Sequence, residues 1–503
     1  MSSSTQLLGL VIDWQHRNRS EVLPVHRASL LGRGYPDPQL DPQPLRLRRA
    51  LTFSLFSAIL PGSVQFIAGN RAAKVIVGLV WLVVLAGLGI AGYFYFEDQP
   101  SFVAFFASTR QMAYIQIGII TVATLWAIAL IDAWRLGMQG SWHWLRAATI
   151  ILANVSLIAA GATVTVVGVQ ALDASQRLVK EVFTATETVK PMLGRYNVLL
   201  LGGDSGEGRV GLRPDSLTVV SIDSESGRTA LIGIPRNLQK VPFNPDSPMH
   251  SAWPSGFNCG NPCLINAVNT WADSRPELYP GSENPGLEAT IDAVEGATGL
   301  TINYYIMVNL AGFRKLVNAV GGLELNVKDR VPIGGGTYPI VGYIEPGLQK
   351  LDGRQVLWFA RSRANSDDYS RMGRQKCVML AMARQLTPAT VLLKAQNIAA
   401  SSSEMLSTSI PASELDIFVE LALRSRSAKV NSVSLVPPVI NPSNPDFVKA
   451  HSLIKDAIAQ TEADDISPSP NVSGSPSPSP SKSLTPMQRA KLSNNVDDLA
   501  EAC

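Results

Sequence analysis

The chain has 503 residues, enough for two or three domains, and charged residues make up 17%, below the roughly 25% usual in soluble proteins. A formal net charge of +3 gives no global attraction to polyanions, so we expect no nucleic-acid partner. With apolar residues at 46% of the chain, this low share of charged residues indicates membrane segments joined to a water-soluble part.

The N-terminal third of the sequence predicts a tail followed by a transmembrane region. Residues 1–50 are rich in Pro and Arg without a hydrophobic period, which predicts a disordered cytoplasmic tail. Within 51–172, three uncharged runs each reach the roughly 20 residues that span a bilayer. The predicted spans are 75–96, 112–131 and 147–172.

A fourth apolar stretch, 51–68, is broken by Pro61-Gly62 and has basic residues on both sides. Because basic flanks stay in the cytoplasm, it predicts a re-entrant or interfacial hairpin instead of a span. With three spans, the N-terminus is cytoplasmic and everything after Leu172 lies outside the cell.

The remainder divides into three segments. Residues 173–195 have a helical pattern and predict a stalk. From Tyr196, short apolar strands alternate with helical stretches, which predicts an α/β domain over 196–460. Residues 461–503 contain alternating Ser and Pro and predict a disordered tail, with a short helix possible at its end.

Among the cysteines after Leu172, the sequence predicts one disulfide and one free thiol. Cys259 and Cys263, in "NCGNPC", form a disulfide by default in an oxidising compartment. Half of a metal site is the alternative, but no His or second Cys pair lies close in sequence. Cys377 falls on a predicted helix, where we expect a buried thiol.

The sequence lacks the motifs of common hydrolases and nucleotide-binding proteins. His250 is the only histidine of the α/β region before residue 451, and the sequence has neither a G-x-S-x-G motif nor a P-loop. A Ser-His-Asp hydrolase and a P-loop nucleotide site are therefore disfavoured.

Two aspartates lie beside strand ends, in "LLGGD" (Asp204) and "RPD" (Asp215). Carboxylates from neighbouring strands can hold a hard divalent cation, so the pair predicts a site for Mg²⁺ (or Mn²⁺). Ordinary turn aspartates are the alternative. Arg236, which closes the next strand in "GIPR", and Lys240 after it are weak signals by themselves.

Positive charge is concentrated in "RSRANSDDYSRMGRQK", at Arg361, Arg363, Arg371 and Arg374. The first two follow an apolar run and are expected to leave the core at alternate positions. The last two, with Gln375, share one face of a helix start, where the helix dipole disfavours cations. A bound phosphate would offset this cost, so the pattern indicates either a phosphate site or a solvated helix face.

Taken in order, these motifs resemble the LytR-CpsA-Psr (LCP) family, in its actinobacterial multi-span type. The resemblance covers roughly 195–390 and rests on the ordered motifs "LLGGDS", "RPDS", "GIPR", "LVNAVGGLELNV", "GLQKLDGRQVLWFARSR" and "DYSRMGRQ". It implies an extracytoplasmic α/β/α domain around a mixed central sheet, with an apolar cleft for a polyprenyl tail.

The resemblance also implies a function. Members are membrane-anchored enzymes that transfer a glycopolymer from a polyprenyl (pyro)phosphate carrier to peptidoglycan through a phosphodiester link. Asp204 and Asp215 match the metal-holding aspartates, with Arg213 and Arg236 as further catalytic residues. The implied pyrophosphate-binding set is Arg213, Arg236, Lys240, Arg361, Arg363, Arg371, Arg374 and Gln375. A pyrophosphate hydrolase and a non-catalytic regulatory protein of the same fold are the alternatives.

The sequence departs from the family pattern at four positions. Gly203 stands where serine is common, and Pro214 replaces a small residue. Asn237 replaces an aspartate after the "PR" dipeptide, which removes a carboxylate near the arginines. Lys376 follows Gln375 where a second glutamine is frequent. None of these departures alters the main charge set. Asp367 and Asp368 are expected to hold the arginines in place.

Overall fold

A computed structural model describes 43–68, 71–107, 109–137, 144–203, 213–335, 338–364, 366–386, 406–426, 428–463 and 494–503, with residues 390, 394 and 398. It separates into two compact units, Met1–Gly89 with Gly118–Thr165, and Ile90–Ile117 with Val166–Cys503. Most of the predicted N-terminal tail, and the Pro/Ser-rich segment before residue 494, lie outside the described residues.

Helices form the N-terminal part of the described chain. They are α1 (Gln43–Ile59), α2 (Ser63–Ala68), α3 (Arg71–Glu97), α4 (Gln99–Ala107), α5 (Thr109–Gly137) and α6 (Trp144–Val182). Among them, Lys74–Glu97, Arg110–Leu136 and Trp144–Val182 are long and apolar enough to cross a membrane. Each contains one of the three predicted spans. The helical part of the predicted stalk continues α6 to Val182.

The stretch 51–68 folds as two helices around the Pro61-Gly62 break. A helix end leaves carbonyl groups without partners, and two indoles satisfy them here. Trp81 Nε1 donates to the Pro61 carbonyl at 2.7 Å, and Trp126 Nε1 donates to the Ala58 carbonyl at 3.1 Å. The stretch is therefore a helical hairpin tied to α3 and α5, and its depth in a membrane stays a prediction.

A six-stranded mixed sheet organises the second unit. Its strands are β1 (Arg195–Gly203), β2 (Pro214–Asp223), β3 (Thr229–Ile234), β4 (Tyr304–Asn309), β9 (Leu406–Thr408) and β10 (Val430–Ser434), in the order β10-β3-β2-β1-β4-β9. Strand β2 is antiparallel to β1 and β3, whereas β4 runs parallel to β1. The predicted α/β fold around a mixed sheet is confirmed.

Helices cover both faces of this sheet. They are α7 (Pro248–Ala252), α8 (Ile265–Asp273), α9 (Pro285–Thr298), α13 (Leu415–Ser425) and α14 (Phe447–Ala463). Because side chains alternate along a strand, Leu199 and Leu201 of β1 pack with α8, α9 and α14. Tyr196 and Val198 point to the opposite face and pack with Leu421 of α13. The result is an α/β/α sandwich.

A smaller lobe adjoins the sheet. It contains α10 (Leu310–Ala319), β5 (Leu323–Val327), β6 (Val331–Gly335), β7 (Tyr338–Ile344), β8 (Gly347–Leu351), α11 (Gly353–Arg361) and the long helix α12 (Asp368–Gln385). Its own apolar cluster includes Val317, Leu325 and Phe359. Helix α12 joins the two parts, because Val378 lies in this cluster and Leu380 packs with Leu231 of β3.

The expectation that Arg361 and Arg363 leave the core at alternate positions is wrong. A capping box between Asp352 and Gln355 starts a helix here, and its buried residues Val356 and Phe359 have helical spacing. Arg361 ends that helix, and Arg363 lies in the connection to α12.

The cysteines form two disulfides, Cys259–Cys263 as predicted and Cys377–Cys503. The expectation of a free buried thiol at Cys377 is wrong, since its partner is 126 residues away and invisible to local reasoning. The structure also differs from the predicted tail over its last ten residues. Residues 494–503 lie against the domain and include the short helix α15 (Leu499–Ala502).

Candidate active site

The site lies where the first two strands of the sheet meet. Gly203, the last residue of β1, pairs with Pro214, the first residue of β2. Asp215 follows at once, and its side chain keeps 35% of its exposure. Asp204 lies outside the described residues, so only one of the two predicted metal-holding aspartates has a described position.

The first turn of α12 supplies a second carboxylate. Asp367 caps the helix by accepting from the Ser370 N–H at 2.8 Å. The next residue, Asp368, turns its carboxylate to three arginines. The contacts are with Arg371 at 3.0 Å, Arg236 at 3.4 Å and Arg363 at 3.6 Å. Asp368 thus holds three arginines in place as predicted. Asp367 caps the helix, and its charge also acts on Arg374.

Arginines also join α12 to the strand edge. Arg371, whose side chain is 5% exposed, donates from Nη1 to the backbone carbonyl of Asp215 at 2.9 Å. Arg236 donates from Nη1 to the Asp215 carboxylate at 2.6 Å. We call Asp215, Arg236, Arg363, Asp368 and Arg371 the arginine–aspartate cluster. It brings together residues from β2, the end of β3, the α11–α12 connection and the first turn of α12.

Gln375 lies one turn after Arg371 and extends the cluster along β2. Its side-chain oxygen accepts from Ser216 Oγ at 3.1 Å. The predicted face of Arg371 and Gln375 therefore points at the strand edge that carries Asp215, and not into open solvent.

The cluster carries a surplus of positive charge, since three guanidinium groups meet two carboxylates. Burial lowers the pKa of Arg236, but its hydrogen bond and charge contact with Asp215, and then Asp368, outweigh this, so the pKa is raised. The pKa of Arg363 is lowered, first by burial and then by the positive charge of Arg236. The neighbourhood of Arg363 therefore favours an additional anion.

Arg374 has a different set of partners. Its Nε donates to the Phe359 carbonyl at 2.7 Å, and its Nη2 donates to the carbonyl of Ser362. Burial, and then the charge of Arg371, lower its pKa to about 10. These bonds fix the end of α11 and the start of the connection that carries Arg363, so Arg374 supports the cluster from behind.

Three other predicted residues lie around the cluster. Arg361 places its guanidinium 5.6 Å from the ring centre of Trp358. Arg213 is exposed, immediately before β2. Lys240 donates to Asn444 Oδ1 at 2.7 Å, and within the described ranges it has no ion pair with Asp215 or Asp368. The structure therefore does not bring Lys240 into the cluster.

The LytR_cpsA_psr family model matches residues 164–444, more than half of the chain and all of the described cluster. The chain belongs to this family. The LytR_cpsA_psr match includes the six-stranded sheet and the smaller lobe, and it ends shortly before α14.

Several curated relatives carry functional names. TagU of Oceanobacillus iheyensis, a polyisoprenyl-teichoic acid–peptidoglycan teichoic acid transferase, is 27% identical over 205 residues, which are 40% of this chain and 55% of TagU. TagV of Bacillus subtilis, with the same activity in its name, is 24% identical over 287 residues, or 55% of this chain and 66% of TagV. The cell wall biosynthesis protein LcpA of Corynebacterium glutamicum is 26% identical over 202 residues, or 37% of this chain and 35% of LcpA.

The chain thus spans between about a third and two thirds of these relatives. Among solved structures, the crystal structure of B. subtilis TagV covers 55% of this chain and 100% of TagV, with a TM-score of 0.39 and 23% identity.

Among the departures from the LytR_cpsA_psr pattern, Asn237 follows Arg236 directly. Its side-chain oxygen is buried and has no hydrogen-bond partner among the described residues. Lys376 is fully buried and is bound on several sides. The sequence did not predict that Lys376 is buried and hydrogen-bonded, because the groups that surround it come from distant segments.

Proposed function

We propose that the chain is a membrane-anchored, extracytoplasmic phosphotransferase. It would move a glycopolymer from a polyprenyl-pyrophosphate carrier to peptidoglycan and leave a phosphodiester link. The observation that carries the proposal is the arginine–aspartate cluster at the ends of strands β2 and β3. The names of TagU and TagV, which refer to teichoic acid transfer to peptidoglycan, support the substrate class.

The cluster is suited to a pyrophosphate because its cations exceed its carboxylates. Arginine keeps its charge and binds phosphate oxygens through a planar fork. Arg236 and Arg363 keep 26% and 47% of their side-chain exposure, so an arriving anion can reach them. Arg371 is buried and would hold the phosphate through the N–H groups that do not already donate to Asp215 and Asp368.

In the proposed reaction, a peptidoglycan hydroxyl oxygen attacks the phosphorus that carries the glycopolymer. The new bond joins that oxygen to phosphorus, and the bond to the bridging oxygen of the pyrophosphate breaks. The prenyl phosphate leaves with the electron pair, and the hydroxyl proton is released. Arginines next to the leaving phosphate stabilise the charge that develops there, which is the main demand of phosphoryl transfer.

A divalent cation, Mg²⁺ or Mn²⁺, belongs to this proposal. Asp215 and Asp204 would hold it, and when bound it would supply further charge neutralisation at the phosphates. Among the described residues no group of three His, Cys, Asp or Glu side chains is placed to hold a metal. Asp215 is a suitable hard oxygen ligand, but its Oδ1 already accepts from Arg236, so the site depends on Asp204 and on substrate oxygens.

Orientation follows from the same proposal. With three spans, the segment between the first and second spans lies on the same side of the membrane as the domain. Helix α4 belongs to that segment, and it packs against α13 of the domain. Arg71, Lys74, Arg135 and Arg146 then lie on the opposite side, as expected for a cytoplasmic face. A cysteine introduced at exposed Ser101 should react with an impermeant maleimide on intact cells. Protection of this site until lysis would contradict the orientation.

The activity is tested with the full-length protein in liposomes, a lipid-pyrophosphate glycan, peptidoglycan and Mg²⁺. We expect peptidoglycan-linked product, and we expect Arg236→Ala and Arg371→Ala to abolish it. Arg330→Ala is the matched control, because Arg330 stacks on Tyr343 at 3.8 Å and is more than half exposed. Release of prenyl phosphate without linked product would identify a hydrolase, and equal activity in all three variants would refute the assigned site.

A further inference from the structure

The segment 494–503, which we call the C-terminal strap, is bound to the domain by backbone pairing. Val496 and Ser432 of β10 exchange two backbone hydrogen bonds, of 2.8 and 2.9 Å. Leu499 is fully buried against Leu231, Leu380 and Val430. The strap therefore covers the outer strand of the sheet and touches α12.

Three contacts attach the strap to α12. Asn494 Nδ2 donates to the Tyr369 carbonyl in the first turn at 2.8 Å. The Asn494 carbonyl lies 3.2 Å from Lys376 Nζ, and Cys503 forms the disulfide with Cys377. Tyr369 lies about two turns before the adjacent residues Lys376 and Cys377, so the contacts restrain both the axial position and the rotation of the helix.

Lys376 is the centre of these contacts. Its ammonium lies within hydrogen-bond distance of oxygens from β3, β10 and the strap, and all of them are uncharged: Leu231 O, Ser432 Oγ, Val433 O, Ser434 Oγ and Asn494 O. The two hydroxyl contacts are the shortest, at 2.6 and 2.7 Å. A buried amine at this point is costly unless it is fully hydrogen-bonded, so its contacts specify one arrangement of the three elements.

The same helix presents the active-site groups. Gln375, the residue before Lys376, contacts Ser216, and Arg371 holds Asp215 and Asp368 slightly more than one turn earlier. Residues 375, 376 and 377 thus point in succession to the cluster, the sheet with the strap, and the disulfide. A rotation or slide of α12 that broke the strap contacts would also displace Arg371 and Gln375.

We propose that Lys376 is a positioning residue and that the C-terminal strap is a clamp, which together hold α12 so that Arg371 and Gln375 face the strand edge at Asp215. The role in substrate binding rests on the proposed function. The mechanical part, restraint of α12 by the strap, does not.

The test uses the full-length protein in detergent, with inorganic pyrophosphate and Mg²⁺ as the probe. The double variant Cys377→Ser/Cys503→Ser removes the covalent clamp, and Cys259→Ser/Cys263→Ser is the matched control that removes the other disulfide. For the first variant we expect amide exchange in 368–380 to be faster by about tenfold and pyrophosphate affinity to fall by about tenfold, at a temperature where the protein is folded. The control should change neither the amide exchange in 368–380 nor the pyrophosphate affinity.

Point variants separate positioning from general stability. Lys376→Met keeps the chain length and removes the donors, so it should weaken pyrophosphate binding. Lys376→Gln keeps two N–H donors and should restore part of that loss. Asn494→Ala leaves the disulfide intact and should give a smaller effect of the same sign, which also provides a folded variant if the cysteine double variant does not fold.

Two outcomes would overturn the inference. One is unchanged exchange of α12 in folded Cys377→Ser/Cys503→Ser, or in Asn494→Ala if only that variant folds. The other is faster exchange with unchanged pyrophosphate affinity, which would leave the strap without a role at the site. If the wild-type protein binds no pyrophosphate, the proposed function fails separately, and the exchange comparison still decides whether the strap restrains α12.

Discussion

Neutralising Asp368 should destabilise the domain, because this one carboxylate is the shared counter-ion of Arg236, Arg363 and Arg371. In Asp368→Asn the side chain keeps its shape but loses its charge, and among the described residues of the cluster Asp215 is then the remaining carboxylate for three guanidinium groups. The variant thus increases the repulsion that already lowers the pKa of Arg363.

The magnitude follows from exposure. Removing one partner of a fully buried ion pair costs about 3–5 kcal/mol, whereas exposed pairs are worth about 0–1 kcal/mol. Arg371 is 5% exposed and Asp368 is 20% exposed, so the pair lies nearer the buried limit. Since asparagine can still accept a hydrogen bond, we expect a loss of about 2–3 kcal/mol in the free energy of unfolding. For a domain of this size that lowers Tm by about 5–10 °C.

The assay is thermal unfolding of the full-length protein in detergent, with and without inorganic pyrophosphate. Added pyrophosphate should reduce the difference in Tm between Asp368→Asn and the wild type, because the anion replaces the negative charge of the missing carboxylate. Glu345→Gln is the control, since its pair with Arg330 is more than half exposed on both sides and should change Tm little. An Asp368→Asn protein as stable as the wild type would refute the role of Asp368 as a shared counter-ion.

Three further outcomes are expected. Arg374→Lys should cost about 1–3 kcal/mol in unfolding free energy, because lysine has no donor at the position of Nε, which holds the Phe359 carbonyl while Nη2 holds that of Ser362. Exposed Arg384→Lys is the neutral control in the same melts, and an unchanged Tm of Arg374→Lys would contradict the supporting role of Arg374. Asp223 is partly desolvated by burial, which raises its pKa, but hydrogen bonds from Ser226 and Glu225 and the charge of Arg195 give a net lowering. This carboxylate therefore stabilises the fold above its unfolded pKa of about 4, and the effect is lost as pH falls through the lower folded pKa. Asp223→Asn should therefore lower Tm at pH 7, and its Tm should approach that of the wild type in acid. A Tm difference that stays constant across pH would exclude this linkage. Trp126→Phe leaves the Ala58 carbonyl without its indole donor, so amides near the Pro61-Gly62 turn should exchange faster, and unchanged exchange would show that this bond does not hold the hairpin.

The fold was accessible from sequence wherever a period or an ordered motif was present. The three spans follow from uninterrupted apolar length, and β1 to β3 follow from short apolar runs between turn signals. Arg371, Arg236 and Asp215 converge as the family resemblance implied, because each lies at a strand end or a helix start.

One wrong expectation had a local answer, because the capping box of Asp352 with Gln355 and the helical spacing of Val356 and Phe359 identify the run before Arg361 as a helix. Other features depend on contacts that a local pattern does not contain. Asp368 becomes central because Arg236 reaches it from another strand. The acceptors of Lys376 come from three segments, and Cys377 gives no local sign of a partner 126 residues away.

The Cys377–Cys503 bond also has a consequence for biosynthesis. Cys377 is made 126 residues before its partner, so during synthesis the sheet and α12 emerge before Cys503 exists. At roughly 5–20 residues per second, this interval lasts on the order of ten seconds. During that time Cys259 and Cys263, only four residues apart, can already have joined. Mispairing of Cys377 with another thiol in this window would leave a chain with a complete sheet and a misplaced α12, so formation of the arginine–aspartate cluster depends on the order in which the thiols are oxidised.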